Sequence, residues 1–360
     1  MTAGPWLRLL SRNGFAVSPG RLPMAFAVCC LSVFNSAAAL LQRVRYGRAI
    51  GEAAVDPPPL FIVGHWRTGT TLLHELLSLD PQFRCPTTYE CMAPAHFLVT
   101  GRLVIRHLGA LLPKQRPLDA MRLRWDLPQE DEFALCNRGA LSAYPSWAFS
   151  HRRTAWEDLL DPRDFAPRER ERWEDTLRHF YRAVSSTGAG RLVLKAPPHT
   201  ARLGLLAEMF PGALFVHAVR HPFEMVPSFL VAWRRMAASV GLQSRLRPDL
   251  DDFLIRLGSR LYRRFDDDRS GLGPGRIIDV RYEDLIADPA KELDRIYRSF
   301  GLPHSDRITP IVARYAVEVG DYQTNAHEAP PALRVRIAGL WATYAARYGY
   351  ALDPAGDAPH

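Results

Sequence analysis

The sequence predicts an α/β protein with a central parallel sheet between helical layers. Two observations carry this expectation. Short apolar runs of strand length at 60–64, 191–194, 213–219 and 277–280 are separated by longer stretches with helical spacing. Strand–helix alternation of this kind builds a parallel sheet covered by helices. In addition, the first run ends at a glycine and passes through a second glycine straight into a helical pattern. Such a frame gathers backbone N–H groups at one helix N-terminus.

The 360 residues suffice for one large α/β domain or two ordinary ones. With 47% hydrophobic and 23% charged residues, the chain buries a core and is not of the disordered class. Its net charge of +8 favours anionic partners such as nucleotides or acidic membrane surfaces, although a solvated, arginine-rich surface explains it equally well. Of 46 basic residues only Lys114, Lys195 and Lys291 are lysines. Where lysine persists in so biased a chain, either a compact ammonium is needed there or chance has left it. The five cysteines (Cys29, Cys30, Cys85, Cys91 and Cys136) form no C-x-x-C pair or zinc spacing, and H-E-x-x-H is absent. No metal site is expected, and a reducing, cytoplasmic compartment fits.

Taken in order, residues 1–55 form a basic N-terminal region. Within it 22–41 is mostly apolar but carries Pro23, Ser32, Asn35 and Ser36. Arg8, Arg12 and Arg21 stand on one side, and Arg43, Arg45 and Arg48 on the other. The length just spans a bilayer. Three readings stand: a helix packed on the protein or lying in a membrane interface, a transmembrane helix, and a signal peptide cut near 37–39, for which the basic leader is too long. Residues 56–59 read as a hinge into the main domain, 56–350, with 351–360 as a tail. The run 60–64 reads as a buried strand and 70–79 as a helix that stops before Asp80 and Pro81. Residues 82–190 read as mostly helical and rich in proline and aromatics. Trp173, Leu177, Phe180, Tyr181 and Val184 mark the apolar face of a helix over 168–185. The remaining strands follow, with helices filling most of the rest.

The loop reads Gly64-His65-Trp66-Arg67-Thr68-Gly69-Thr70-Thr71, with glycines five apart. This is the frame of a P-loop, but the usual G-K-[ST] ending is Gly69-Thr70-Thr71, and Arg67 sits inside the loop. A kinase needs the missing lysine and a magnesium-bound γ-phosphate. A ligand that ends in a 5′-phosphosulfate needs neither. The arrangement resembles the 5′-phosphosulfate loop of sulfotransferases that use 3′-phosphoadenosine 5′-phosphosulfate (PAPS), commonly P-(K/R)-(S/T)-G-T-T. A plain Gly/Thr turn before a helix is the alternative.

Further on, the run 213–219 leads into Arg220, and Ser228 follows eight residues later. A strand-end arginine offers a bidentate charge contact and a helix serine a hydroxyl, which together suit a terminal phosphate. This pattern resembles the 3′-phosphate element of the same family. Lys195 precedes Arg220 by 25 residues, as does a catalytic-region lysine in the cytosolic and tyrosylprotein branches. Arg281-Tyr282-Glu283-Asp284-Leu285 resembles the family's (K/R)-Y-E-D-L segment, whose tyrosine lies near the nucleotide. These landmarks run from about 60 to 290, and the broad bacterial-type branch is the nearest match. The resemblance implies a P-loop-containing three-layer fold with a large helical acceptor-binding insertion. It also implies PAPS as sulfonate donor, 3′,5′-ADP as product and no metal. It assigns Arg67, Thr68, Gly69, Thr70, Thr71, Arg220, Ser228 and Tyr282 to the nucleotide.

The reaction so implied is an in-line displacement at sulfur. Positive groups must meet the transferring and leaving oxygens, and a base must take the acceptor's proton. Lys195 is the expected charge stabiliser, with Arg67 beside it. His199, four residues after Lys195 and past two prolines that are expected to hold the turn extended, is the first candidate base, with a structural turn histidine as the alternative. Glu90 is its rival, two residues away from the position that the tyrosylprotein branch implies. Glu130, Asp131 and Glu132 form a third candidate group, equally explained as a solvated helix start. Tyr89, Trp125, Tyr144, Trp147, Phe149 and Trp156 line an acceptor pocket or, for most of them, fill core. The expected partner is a hydroxyl-bearing acceptor, with a membrane surface as a further candidate and no nucleic acid. Two rival functions remain at this point: a P-loop nucleotide kinase, and a noncatalytic membrane-associated nucleotide-binding protein.

Overall fold

The structure is a computed structural model that describes residues 1–107, 124–151, 156–303, 308–319 and 329–354. Lys114, the side chain of Trp156, part of the long helical stretch and the end of the tail lie outside the described residues. In chain order the helices are α1 (Ala3–Arg12), α2 (Leu22–Glu52), α3 (Thr70–Ser78), α4 (Thr88–Met92), α5 (Phe97–His107), α6 (Glu132–Arg138) and α7 (Pro167–Ser185). They continue as α8 (Leu203–Met209), α9 (Pro222–Val240), α10 (Leu250–Arg269), α11 (Tyr282–Ala287), α12 (Pro289–Ser299), α13 (Ile308–Val319) and α14 (Pro331–Tyr348). The strands are β1 (Leu60–Gly64), β2 (Phe83–Arg84), β3 (Arg191–Lys195), β4 (Leu214–Val219) and β5 (Ile277–Arg281). They form a five-stranded parallel sheet in the order β2-β3-β1-β4-β5, flanked by helices. The α/β class is the one expected.

The chain divides into two compact units. One comprises Met1–Pro59, Pro81–Ala196 and Trp233–Leu250. Its α7 buries Trp173, Leu177, Phe180, Tyr181 and Val184 completely, the face that the spacing predicts. Pro167 opens that helix, where a missing N–H costs nothing. The apolar N-terminal segment is longer than expected: α2 runs on to Glu52. Pro23 lies in its first turn and so does not break it. The strand β2 was not expected, because two residues carry no period to read.

The other unit comprises Leu60–Asp80, Pro197–Ala232 and Asp251–His360. Here β1 and β4 are buried along their whole length, which is why they read as continuous apolar runs. Each fully buried Leu, Ile or Phe contributes about 1.5–3 kcal/mol. Their register sets Gly64 opposite Ala218 and Phe61 opposite Phe215. One local expectation is corrected. The prolines after Lys195 do not hold an extended turn; Pro197–Arg202 is a 3₁₀ helix. A proline φ suits that helix as well as an extended chain. The Thr200 hydroxyl accepts from the Gly64 N–H (2.7 Å) and donates to the Gly64 carbonyl (3.0 Å), which ties the turn to the end of β1.

Candidate active site

The loop after β1 is shaped by close approaches. Gly64 has φ +144°, and a Cβ there would stand 2.5 Å from the Ala218 carbonyl oxygen. Gly69 has φ +88°, and its Cβ would stand 2.5 Å from the Tyr282 ring. Only glycine meets both demands at these positions. Between them Arg67 adopts φ +72° without being glycine, a conformation that costs about 1–3 kcal/mol and persists only where the surroundings impose it. The Thr68 hydroxyl donates to the His65 carbonyl (2.7 Å) and closes the turn. Gly69 is the N-cap of α3, so the N–H groups of Thr70 and Thr71 stand at the start of that helix, at its positive end.

His65 anchors the loop, a role that sequence reasoning missed. Its ring is buried against Phe229 (4.7 Å between centroids) and Trp341 (5.4 Å). Its Nδ1 lies 2.8 Å from the Trp66 carbonyl oxygen, which makes Nδ1 the protonated nitrogen. Burial pushes its pKa down to about 4, so the ring is neutral at physiological pH.

The expected 3′-phosphate residues meet this loop within the same unit. Arg67 Nε donates to Ser228 Oγ (3.0 Å), and Arg220 Nη1 donates to the Arg67 carbonyl (3.3 Å). The Arg220 guanidinium lies 4.2 Å above the Tyr282 ring, which favours its charge. Gly69, Tyr282, Arg220, Arg67 and Ser228 thus form one cluster. Two members were not foreseen. Glu224 accepts from Arg220 Nη2 at 2.7 Å and from Nε at 3.0 Å, and the Tyr344 hydroxyl bonds to both backbone polar groups of Arg220. The i,i+4 spacing of Arg220 and Glu224 was a readable signal.

The first unit holds a second cluster. Lys195 ends β3, is 1% exposed, and places Nζ 2.7 Å from Glu130 Oε1. The other Glu130 oxygen accepts from the Tyr144 hydroxyl. A lysine so deeply buried demands its carboxylate: losing either partner of such a pair leaves an uncompensated charge. The acidic run is therefore no solvated helix start. Asp131 accepts from the Tyr181 hydroxyl (2.5 Å) and Glu132 from the Ser142 hydroxyl (2.5 Å), both fully buried, while Glu130 pairs with Lys195.

The other two candidate bases are engaged elsewhere. Glu90 closes a capping box at the start of α4: Oε2 accepts from the Thr87 N–H (2.7 Å), while Oε1 pairs with the Arg84 guanidinium. His199 is fully buried, edge-on to Phe61, with Nδ1 3.4 Å from Arg202 Nη1. Arginine only donates, so Nδ1 is the nitrogen that keeps its lone pair, and it faces a cation. Of the aromatics, Tyr89, Tyr144, Trp147 and Phe149 are core, and Trp125 packs edge-on to Tyr89 at 5.4 Å.

A parallel α/β sheet whose first strand enters a lysine-less glycine loop, with a strand-end arginine seated against that loop, defines a P-loop-type α/β fold. Residues 58–306 match the model of the Sulfotransferase family, and the chain belongs to that family of enzymes. It is 40% identical over 345 residues to omega-hydroxy-beta-dihydromenaquinone-9 sulfotransferase Stf3 of Mycobacterium bovis, covering 96% of this chain and 89% of the relative. The Mycobacterium tuberculosis protein of the same name matches equally. Two crystal structures share the fold at lower identity. Sulfotransferase STF9 of Mycobacterium avium is 21% identical, with 98% of this chain and 97% of that one covered and a TM-score of 0.71. Sulfotransferase STF1 of Mycobacterium tuberculosis is 19% identical, with 94% and 91% covered and a TM-score of 0.61.

Proposed function

We propose that this enzyme transfers the sulfonate group of PAPS to a hydroxyl of a lipid-soluble, quinone-type acceptor. The observation that carries the donor is the joining of Arg67, Ser228, Arg220 and Tyr282 at a P-loop without its lysine. PAPS supplies an activated sulfonate on a phosphate leaving group. The N-terminus of α3, with Arg67, Thr68, Gly69, Thr70 and Thr71, suits its 5′-phosphosulfate. Arg220 and Ser228 suit its 3′-phosphate, with Arg220 exchanging Glu224 for the ligand. The acceptor class comes from the 40% identical relative, whose name specifies a hydroxylated menaquinone.

In this reading Lys195 stabilises the charge that develops on the bridging and sulfonate oxygens. Glu130 takes the acceptor's proton, as the carboxylate already within hydrogen-bond reach of that lysine. The acceptor oxygen forms the new S–O bond while the old one breaks, and its electron pair leaves on phosphate. This moves the base from His199 and Glu90, whose surroundings serve packing and capping, to Glu130. The cytoplasm suits the enzyme, since none of the five cysteines is in a disulfide.

Thermal unfolding tests the donor. 3′,5′-ADP is expected to raise the melting temperature by mass action, and magnesium-ATP to do so much less. Equal shifts would return the chain to the kinase reading. No shift with 3′,5′-ADP would remove the proposed donor.

A further inference from the structure

Helix α2 is built inside out for a helix on a protein in water. Its uncharged polar side chains Ser32, Asn35, Ser36 and Gln42 face the protein. Gln42 accepts from the Leu98 N–H (2.9 Å), Asn35 donates to the Met1 carbonyl (3.0 Å) and bonds His96 through its Oδ1 (3.0 Å), and Ser36 accepts from the Ala3 N–H (3.0 Å). Most of its large apolar side chains face outward. Phe26, Leu31, Val33, Phe34, Leu40, Leu41 and Val44 are 52–77% exposed. At 3.6 residues per turn they fall within about half of the helix circumference, and from 26 to 44 they run for about 27 Å. The polar contacts fix the rotation of the helix, so this exposure is not a slip of register.

We infer that this face of α2 docks on a lipid bilayer that carries anionic headgroups, with the helix lying in the interface. Three features select that occupant. First, α2 packs on α1, α5 and α7 of its own unit and leaves one face outward, the arrangement of a helix lying in an interface. Second, the apolar stripe is bordered by cations. Arg43, Arg45 and Arg48 are exposed at its end, and on the adjoining α5 Arg102 and Arg106 flank Leu103, itself 64% exposed. Apolar insertion with a cationic border is the signature of interfacial binding to anionic lipid. Third, a second copy of the chain fits poorly. The one acid of α2 is Glu52, already bound to Arg48 at 2.7 Å. Parallel self-pairing sets these arginines against each other, and antiparallel pairing sets them against Arg21. Anionic headgroups answer that charge; another α2 does not. The inference deepens the proposed function by placing the enzyme where a lipid-soluble acceptor resides, but it rests on α2 alone.

The test is co-sedimentation of the full chain with vesicles of phosphatidylcholine, with and without phosphatidylglycerol. Binding to the phosphatidylglycerol vesicles is expected, weakened by salt. The triple variant Phe34→Gln, Leu41→Gln, Val44→Gln is expected to lose at least about tenfold in vesicle affinity. Its melting temperature and its 3′,5′-ADP shift should stay unchanged, because these side chains are exposed and outside the nucleotide cluster. A second variant, Arg43→Gln, Arg45→Gln, Arg48→Gln, is expected to lose only the preference for phosphatidylglycerol. Wild-type protein that ignores both vesicles, or a triple variant that binds as well as wild type, overturns the inference. So does a wild-type dimer that the triple variant dissociates. The 3′,5′-ADP shift reports on the donor reading separately, so either can fail without the other.

Discussion

In the loop of residues 64–71 the backbone holds the functional groups in place, whereas around Lys195 side chains do. Gly64 and Gly69 have no room for a Cβ, and Arg67 is held at a positive φ between them. Lys195, Glu130 and Tyr144 have no left-handed backbone and are joined to one another by an ion pair and a hydroxyl. A site held by backbone is preorganised before any ligand arrives and tolerates no added atom. A site held by charges tolerates reshaping but not the loss of a charge.

The largest effect is expected where a charge is lost. Glu130→Gln should lower sulfonate transfer by about 10²–10⁴ while keeping the 3′,5′-ADP shift, and Lys195→Ala by about 10²–10³. Single-turnover transfer to a menaquinol analogue bearing a hydroxyl measures both. If Glu130→Gln turns over normally while His199→Ala or Glu90→Gln does not, the base belongs to that residue instead.

Next comes an added atom in the loop. Gly69→Ala combines a left-handed φ with overlap on the Tyr282 ring. It is expected to cost about 2–5 kcal/mol and to weaken 3′,5′-ADP binding measured by calorimetry. Unchanged stability and affinity would mean that the loop is not held by its backbone, and the contrast between the two regions would disappear.

The smallest effect is acid sensitivity. Burial lowers the His65 pKa from 6.5 to about 4. The unfolded chain therefore binds the proton first as pH falls. This stability is complete above about pH 6.5 and is lost progressively as pH falls toward 4, to a total of about 3 kcal/mol. The melting temperature of His65→Asn should fall less steeply across that window than that of wild type. Parallel slopes would show that His65 does not carry the loop's acid response.

The same division decides how much could be read from the chain. The loop cluster was legible because its constraints are local: two glycines five apart, and an arginine eight residues before a serine. The scarcity of lysine pointed to Lys195. Its partner was hidden, because Glu130 and Lys195 meet across 65 residues and three adjacent carboxylates look alike in a sequence. His65 gave no sign either, since its neighbours Phe229 and Trp341 come from distant helices. The mixture of serine and asparagine in 22–41 read as an interruption of an apolar segment. In the folded chain those residues are the side that binds the protein.

Glu224 gives the proposed nucleotide site an occupant of its own. It lies in the first turn of α9 and already satisfies the Arg220 guanidinium. An arriving anion therefore does not fall onto a bare cation. It trades places with a tethered carboxylate, and the grip it gains is only the difference between the two. A transferase must let its spent nucleotide go in every cycle. A latch whose return spring sits four residues down the same chain closes behind the departing phosphate without waiting for an ion from solution.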